Sequence, residues 1–151
     1  MPPISIPTPE SLQPPPMLQS ATRTLLYVED NPANLSLVQQ LIARRGDWKL
    51  LTAIDGDLGI LIAKNTRPDV IVMDINLPGI NGFEALQILR TDPSTTHIPV
   101  VALSSNAFPG DIEKGRQAGF YRYLTKPYKI DEFMDTLDSA LRYSFASPKN
   151  E

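Results

Sequence analysis

The 151 residues are enough for one packed domain with some excess, and 42 % of them are hydrophobic. A formal net charge of −3 gives no electrostatic reason to bind nucleic acid or a membrane surface. There is no cysteine and only one histidine, which excludes disulfides, thiolate catalysis, zinc–thiolate sites and multi-histidine metal centres.

Residues 1–20 hold seven of the fifteen prolines. Each fixes φ and removes an amide donor, so this stretch is predicted to be a disordered tail or linker ahead of a domain at 21–145, with a short tail at 146–151. No apolar run reaches the ~18 residues of a membrane span, and the N-terminus lacks the basic start and apolar core of a secretion signal. A cytoplasmic location is expected.

From Thr24 the pattern alternates. Thr24–Val28 predicts a short strand, and Asn31-Pro32 then supplies an N-cap with proline at the first helical position. Leu35, Val38, Leu41 and Ile42 recur at helical spacing as far as Arg45. Lys49–Ile54 reads as a second strand, and Leu58, Leu61 and Ile62 mark a second helix. Asp69–Asp74 contains the uninterrupted apolar run Val70-Ile71-Val72-Met73 and ends in a carboxylate, and Phe83, Leu86 and Leu89 place a third helix after Asn81-Gly82. Ile98–Leu103 predicts a fourth strand and Asp111–Ala118 a fourth helix, stopped by Gly119. Tyr121–Leu124 is a last strand, followed by a helical stripe of Ile130, Phe133, Leu137 and Leu141. Five strands alternating with five helices imply a parallel sheet covered on both faces, with a ligand crevice at the carboxyl ends of the strands. His97, in the loop before strand four, reads as an ordinary loop residue.

The residues at those strand ends carry a consistent chemistry. Glu29 and Asp30 follow strand one, Asp74 ends strand three, Ser104 ends strand four, and strand five leads into Lys126-Pro127. Each alone is an ordinary loop residue; the convergence is informative. Close carboxylates repel unless a cation joins them, and all-oxygen ligands suit a hard ion such as Mg²⁺. An aspartate can attack phosphorus to form an acyl phosphate. Phosphoryl transfer then needs chiefly positioning and charge neutralisation, which a lysine and a hydroxyl donor assist.

Four segments resemble the motifs of bacterial response-regulator receiver domains of the chemotaxis-regulator type. They are Leu26-Tyr27-Val28-Glu29-Asp30-Asn31, Val72-Met73-Asp74 through Gly82, Val101-Ala102-Leu103-Ser104, and Tyr123-Leu124-Thr125-Lys126-Pro127. The resemblance runs from about Thr24 to Tyr143. It implies a flavodoxin-like doubly wound (βα)5 fold with a five-stranded sheet of order 2-1-3-4-5, an order for which a receiver is a standing example. It makes Asp74 the phosphoacceptor, with Glu29, Asp30, Asp74 and the backbone carbonyl of Asn76 around Mg²⁺. Ser104 and Lys126 would contact phosphoryl oxygens, Lys126-Pro127 would be cis, and Tyr123 would be the aromatic switch partner of Ser104. The implied partners are a histidine kinase or histidine phosphotransfer protein, and a downstream protein met through the face around residues 107–128. That face is expected to gather Phe108, Tyr121, Tyr123 and Tyr128. Tyr121-Arg122 stand where many receivers carry acidic residues, so the charged dimer of winged-helix regulators is not expected; a monomer or weak phosphorylation-dependent dimer is. A free-standing regulator and the receiver of a hybrid histidine kinase both fit.

Two other readings compete. An aspartate-nucleophile phosphatase of the haloacid dehalogenase type needs a second aspartate two residues after the nucleophile, where this chain has Asn76. A phosphorylation-independent pseudo-receiver usually lacks an acidic or lysine position, and none is missing here. The chain is therefore expected to act as a signalling receiver rather than a turnover enzyme.

Overall fold

The computed structural model describes residues 22–105 and 108–146, and the statements below concern these. Residues 1–21, 106–107 and 147–151 lie outside them, so the proline-rich segment and all but the first residue of the short C-terminal tail are not described; Ala146 ends the last helix. The elements alternate as read: β1 (Arg23–Val28), α1 (Pro32–Arg45), β2 (Trp48–Ala53), α2 (Gly56–Thr66), β3 (Val70–Asp74), α3 (Gly82–Thr91), β4 (Val100–Ser104), α4 (Pro109–Ala118), β5 (Arg122–Thr125) and α5 (Ile130–Ala146). All neighbouring strands are parallel, in the order β2-β1-β3-β4-β5.

Local chemistry sets the helix starts. The Asn31 side chain accepts the Asn34 N–H at 3.1 Å with Pro32 at the first turn, which places α1 directly behind Glu29 and Asp30. Asn81 and Glu84 form a reciprocal capping box at α3. α4 begins two residues earlier than the apolar pattern indicates, because Pro109 is pre-set for the first helical position.

Each face of the sheet carries its own core. Leu26, Val28, Ile71, Met73 and Ala102 meet α2 and α3 on one side. Leu25, Tyr27, Val72 and Leu103 meet α1 and α5 on the other. β3 and β4 are buried at every position, as strands covered on both faces must be.

Three details differ from the sequence pattern. Ile98 is buried but lies in a turn before β4, its N–H donating to the Thr95 carbonyl. Ile54 lies beyond β2 and is exposed. In α2 the residues that mark the helix are not its buried face: Leu58 and Leu61 are exposed, while Gly59, Ile60 and Ala63 are buried. A Cβ on Gly59 would lie 2.9 Å from Val28 Cγ2, so the glycine lets the helix backbone sit directly on β1.

Candidate functional site: an acidic crevice at the strand ends

Glu29, Asp74, Ser104 and Lys126 meet at the carboxyl ends of β1, β3, β4 and β5. Each is placed by backbone bonds. The Glu29 N–H donates to the Ala53 carbonyl and the Ile75 N–H to the Leu103 carbonyl, both at 2.9 Å. The Lys126 N–H donates to the Ser104 carbonyl at 2.7 Å, tying the lysine loop to the end of β4. The Lys126-Pro127 peptide is cis. The loop after Asp74 folds tightly back: a Cβ on Gly82 would lie 3.1 Å from the Asp74 carbonyl oxygen, so only glycine fits there without a shift.

Lys126 Nζ is the hub. It stands 2.6 Å from Asp74 Oδ2 and 3.2 Å from Glu29 Oε1. Asp74 Oδ1 accepts the Asn76 N–H at 2.8 Å, and Glu29 Oε2 accepts the Asn31 N–H at 3.3 Å. Glu29 and Asp74 are buried, whereas the lysine side chain keeps 23 % of its surface in solvent. Burial pushes the Glu29 carboxyl above its usual value, and the charge of Asp74 adds to this; Lys126 offsets only part. For Lys126 burial alone acts downward, but Asp74 and then Glu29 outweigh it and raise the ammonium above the usual lysine value.

Not every expected residue joins this hub. Asp30 is exposed at the crevice edge, and among the described residues no three acidic or histidine side chains close into a ready metal cage. Ser104 is buried at the end of β4 on the same sheet face as Tyr123, by the register pairs Ala102–Tyr123 and Ser104–Thr125. The Tyr123 ring lies against α4, where a Cβ on Gly115 would come within 2.5 Å of it. His97 is remote: it lines a cleft of about 1060 Å³ with Arg90, Pro93 and Tyr143, at the opposite ends of the strands. A smaller cleft of about 370 Å³ opens beside Lys126, between Asn34, Leu37 and Tyr128.

The four aromatics expected on one face are spread over several surroundings. Phe108 is exposed at the start of α4, and Tyr123 is half-buried under it. Tyr121 hydrogen-bonds Ser139 of α5 and packs on Tyr143. Tyr128 stacks on Phe133, with ring centroids 5.1 Å apart and planes at 20°. Sequence reading passed over Tyr27. It is fully buried two residues before Glu29, and its hydroxyl lies 3.4 Å from Glu29 Oε1. Burial pushes its phenol far above the usual range, with Tyr128 and Glu29 adding to the effect. A phenol in an otherwise aliphatic strand, on the same face as an acid, was the available signal.

Comparison with known proteins agrees with this arrangement. The family model described as the response regulator receiver domain matches residues 25–138. The polar-differentiation response regulator DivK of Brucella anthropi is 36 % identical over 119 residues, covering 79 % of this chain and 96 % of that protein. DivK of Brucella ovis is 36 % identical over 120 residues, covering 80 % and 97 %. Among solved structures, the receiver domain of sensor histidine kinase PA1611 from Pseudomonas aeruginosa is described with a magnesium ion coordinated in its active-site cleft. It superposes with a TM-score of 0.74 at 33 % identity, covering 81 % of this chain and 99 % of that one. Chemotaxis protein CheY4 of Vibrio cholerae gives a TM-score of 0.74 at 27 % identity, covering 80 % and 100 %. With the 2-1-3-4-5 parallel sheet, the acidic crevice and a family match across most of its length, the chain belongs to the response-regulator receiver domains of two-component signalling.

Proposed function

We propose that Asp74 is the phosphoryl acceptor of this receiver and that it takes the group from a phosphohistidine on a histidine kinase or phosphotransfer protein. The observation that carries this is the Lys126 ammonium 2.6 Å from Asp74 Oδ2, with Glu29 on its other side, at the carboxyl ends of the strands. An Asp74 carboxylate oxygen attacks phosphorus, an O–P bond forms, the P–N bond breaks, and the imidazole leaves with a proton. The Asn76 N–H fixes Oδ1 and so orients the carboxylate plane. Lys126 gives up Oδ2 and follows the charge to a phosphoryl oxygen, while Ser104 is the nearby hydroxyl donor for another.

The site suits Mg²⁺, because its donors are all oxygen and a cation already sits between two of its carboxylates. Glu29, Asp30, Asp74 and the Asn76 carbonyl would hold it, and the bound ion would neutralise charge between these carboxylates and the incoming phosphoryl group. The domain spans about residues 21–145, acts as a phosphorylation-controlled module rather than a turnover enzyme, and works in the cytoplasm. Among the described residues no helix is long and apolar enough to cross a membrane. Its output partner is a protein met at the surface of α4 and β5, where Phe108 is exposed and Tyr123 half-buried.

Incubation with acetyl phosphate and Mg²⁺ tests the assignment. Intact mass should show one added phosphate on the wild type, none on Asp74→Asn, and none when a chelator is present. Undiminished labelling of Asp74→Asn would sink it.

A further inference from the structure

Glu29 is held by three donors that arrive from three directions. Lys126 Nζ reaches Oε1 at 3.2 Å from the crevice, and the Asn31 N–H reaches Oε2 at 3.3 Å from the loop. The Tyr27 hydroxyl reaches Oε1 at 3.4 Å from inside the core, at the long end of hydrogen-bond range. A buried carboxylate that loses its donors is strongly disfavoured, so these contacts decide where Glu29 points. Two of them have a second partner, since the Tyr27 hydroxyl also hydrogen-bonds Tyr128. Lys126 also binds Asp74, and phosphoryl transfer draws its ammonium toward the new charge. The donor that stays at Oε1 is Tyr27.

Tyr27 is itself rigidly seated. It is fully buried in β1, and its ring meets Phe133 of α5 edge-on, with centroids 6.4 Å apart and planes at 86°. Phe133 in turn carries the stacked Tyr128 ring, two residues beyond Lys126. The hydroxyl is therefore delivered by packed rings on a strand, which fixes it better than a loop side chain could.

We propose that Tyr27 is a positioning residue, whose hydroxyl keeps the Glu29 carboxylate aimed at the divalent cation when Lys126 lets go. This rests on the receiver-site reading above. Outer partners of metal-binding carboxylates commonly change affinity by about 10-fold or more when removed. Tyr27→Phe keeps the ring and its packing while deleting the hydroxyl.

The test is a Mg²⁺ titration of the full chain, followed by amide NMR shifts, on wild type, Tyr27→Phe, Glu29→Gln and the double variant. Urea unfolding in chelator accompanies it. The expected result is about 10-fold weaker Mg²⁺ binding in Tyr27→Phe, and no further loss when the change is made in the Glu29→Gln background. Unchanged Mg²⁺ affinity in Tyr27→Phe, with or without lower stability in chelator, makes Tyr27 a core residue only and overturns the proposal. So does an equal loss in both backgrounds. A wild type that binds no Mg²⁺ overturns the receiver-site reading, and the Tyr27 role falls with it.

Discussion

The triangle of Glu29, Asp74 and Lys126 is a balance of burial against charge. Two buried carboxylates share one ammonium, which offsets part of what burial costs Glu29. Lys126→Met removes the shared cation and leaves the two acids facing each other. At pH 7 the variant should unfold at lower urea, by about 1–3 kcal/mol, less than the ~3–5 kcal/mol of a fully enclosed pair because the lysine is partly solvated. The pH dependence has a definite sign. Glu29 binds its proton more tightly folded than unfolded, so its contribution to stability falls as pH rises from the ordinary carboxylate range through the raised value. Without Lys126 that penalty grows, and acidification should narrow the gap to wild type as Glu29 takes up a proton. The wild-type ammonium contributes fully below the ordinary lysine value and is lost as pH climbs past its raised one. A gap that stays constant from pH 5 to pH 7 would mean that Lys126 contributes packing alone. Glu29, Asp74, Ser104 and Lys126 were all legible from the sequence, because strand ends are where apolar runs stop. The direction of Asp30 and the contact of Tyr27 were not, because both depend on side-chain orientation that spacing leaves open.

At the scale of elements, glycines decide which helix faces meet the sheet. The apolar pattern of α2 rests on Leu58, Leu61 and Ile62, of which only Ile62 packs on the core, while the helix turns Gly59, Ile60 and Ala63 inward, the small residues allowing the closer approach. A helix apolar on most sides does not announce its buried face, whereas the amphipathic α1 and α5 did so through Val38, Leu41, Phe133 and Leu137. β3 and β4 were the clearest strands, since a short apolar run that ends at a polar residue suits a strand buried on both faces. Gly115 in α4 shows the same effect beside Tyr123. A glycine inside a helix costs about 1 kcal/mol relative to alanine, and here its missing Cβ is where the Tyr123 ring lies. Gly115→Ala should gain that propensity but lose more by displacing the ring, for a net loss of about 1 kcal/mol. Urea unfolding and the Tyr123 ring proton shifts read both effects. A variant stabilised by the full propensity gain, with unmoved ring shifts, would show that Tyr123 is not seated on α4.

Across the whole molecule, the crevice connects to both layers of helices. On one face of the sheet Ser104 lies on the Tyr123 side, and Tyr123 carries α4 through Gly115. On the other, Lys126 leads through Glu29 and Tyr27 to Phe133 and Tyr128 against α5. A phosphoryl group on the proposed acceptor Asp74 would add charge beside Lys126, whose backbone is tied to Ser104, so both routes have a reason to respond. His97, in the loop before β4 and at the opposite ends of the strands, belongs to neither route and serves as an internal control. Beryllofluoride with Mg²⁺, a tetrahedral mimic of the phosphoryl group, should therefore shift backbone NMR signals at Gly115 and Tyr123 and also at Tyr128 and Phe133. The signal of His97 should stay in place. The free energy transmitted is expected to be about 1–3 kcal/mol, the usual size of coupling between sites. Shifts confined to residues 74–82 and 104–105 would refute coupling to either layer. Shifts at Tyr123 without any at Phe133 would leave α4 and β5 as the output path and confine Tyr27 to its duty at Glu29.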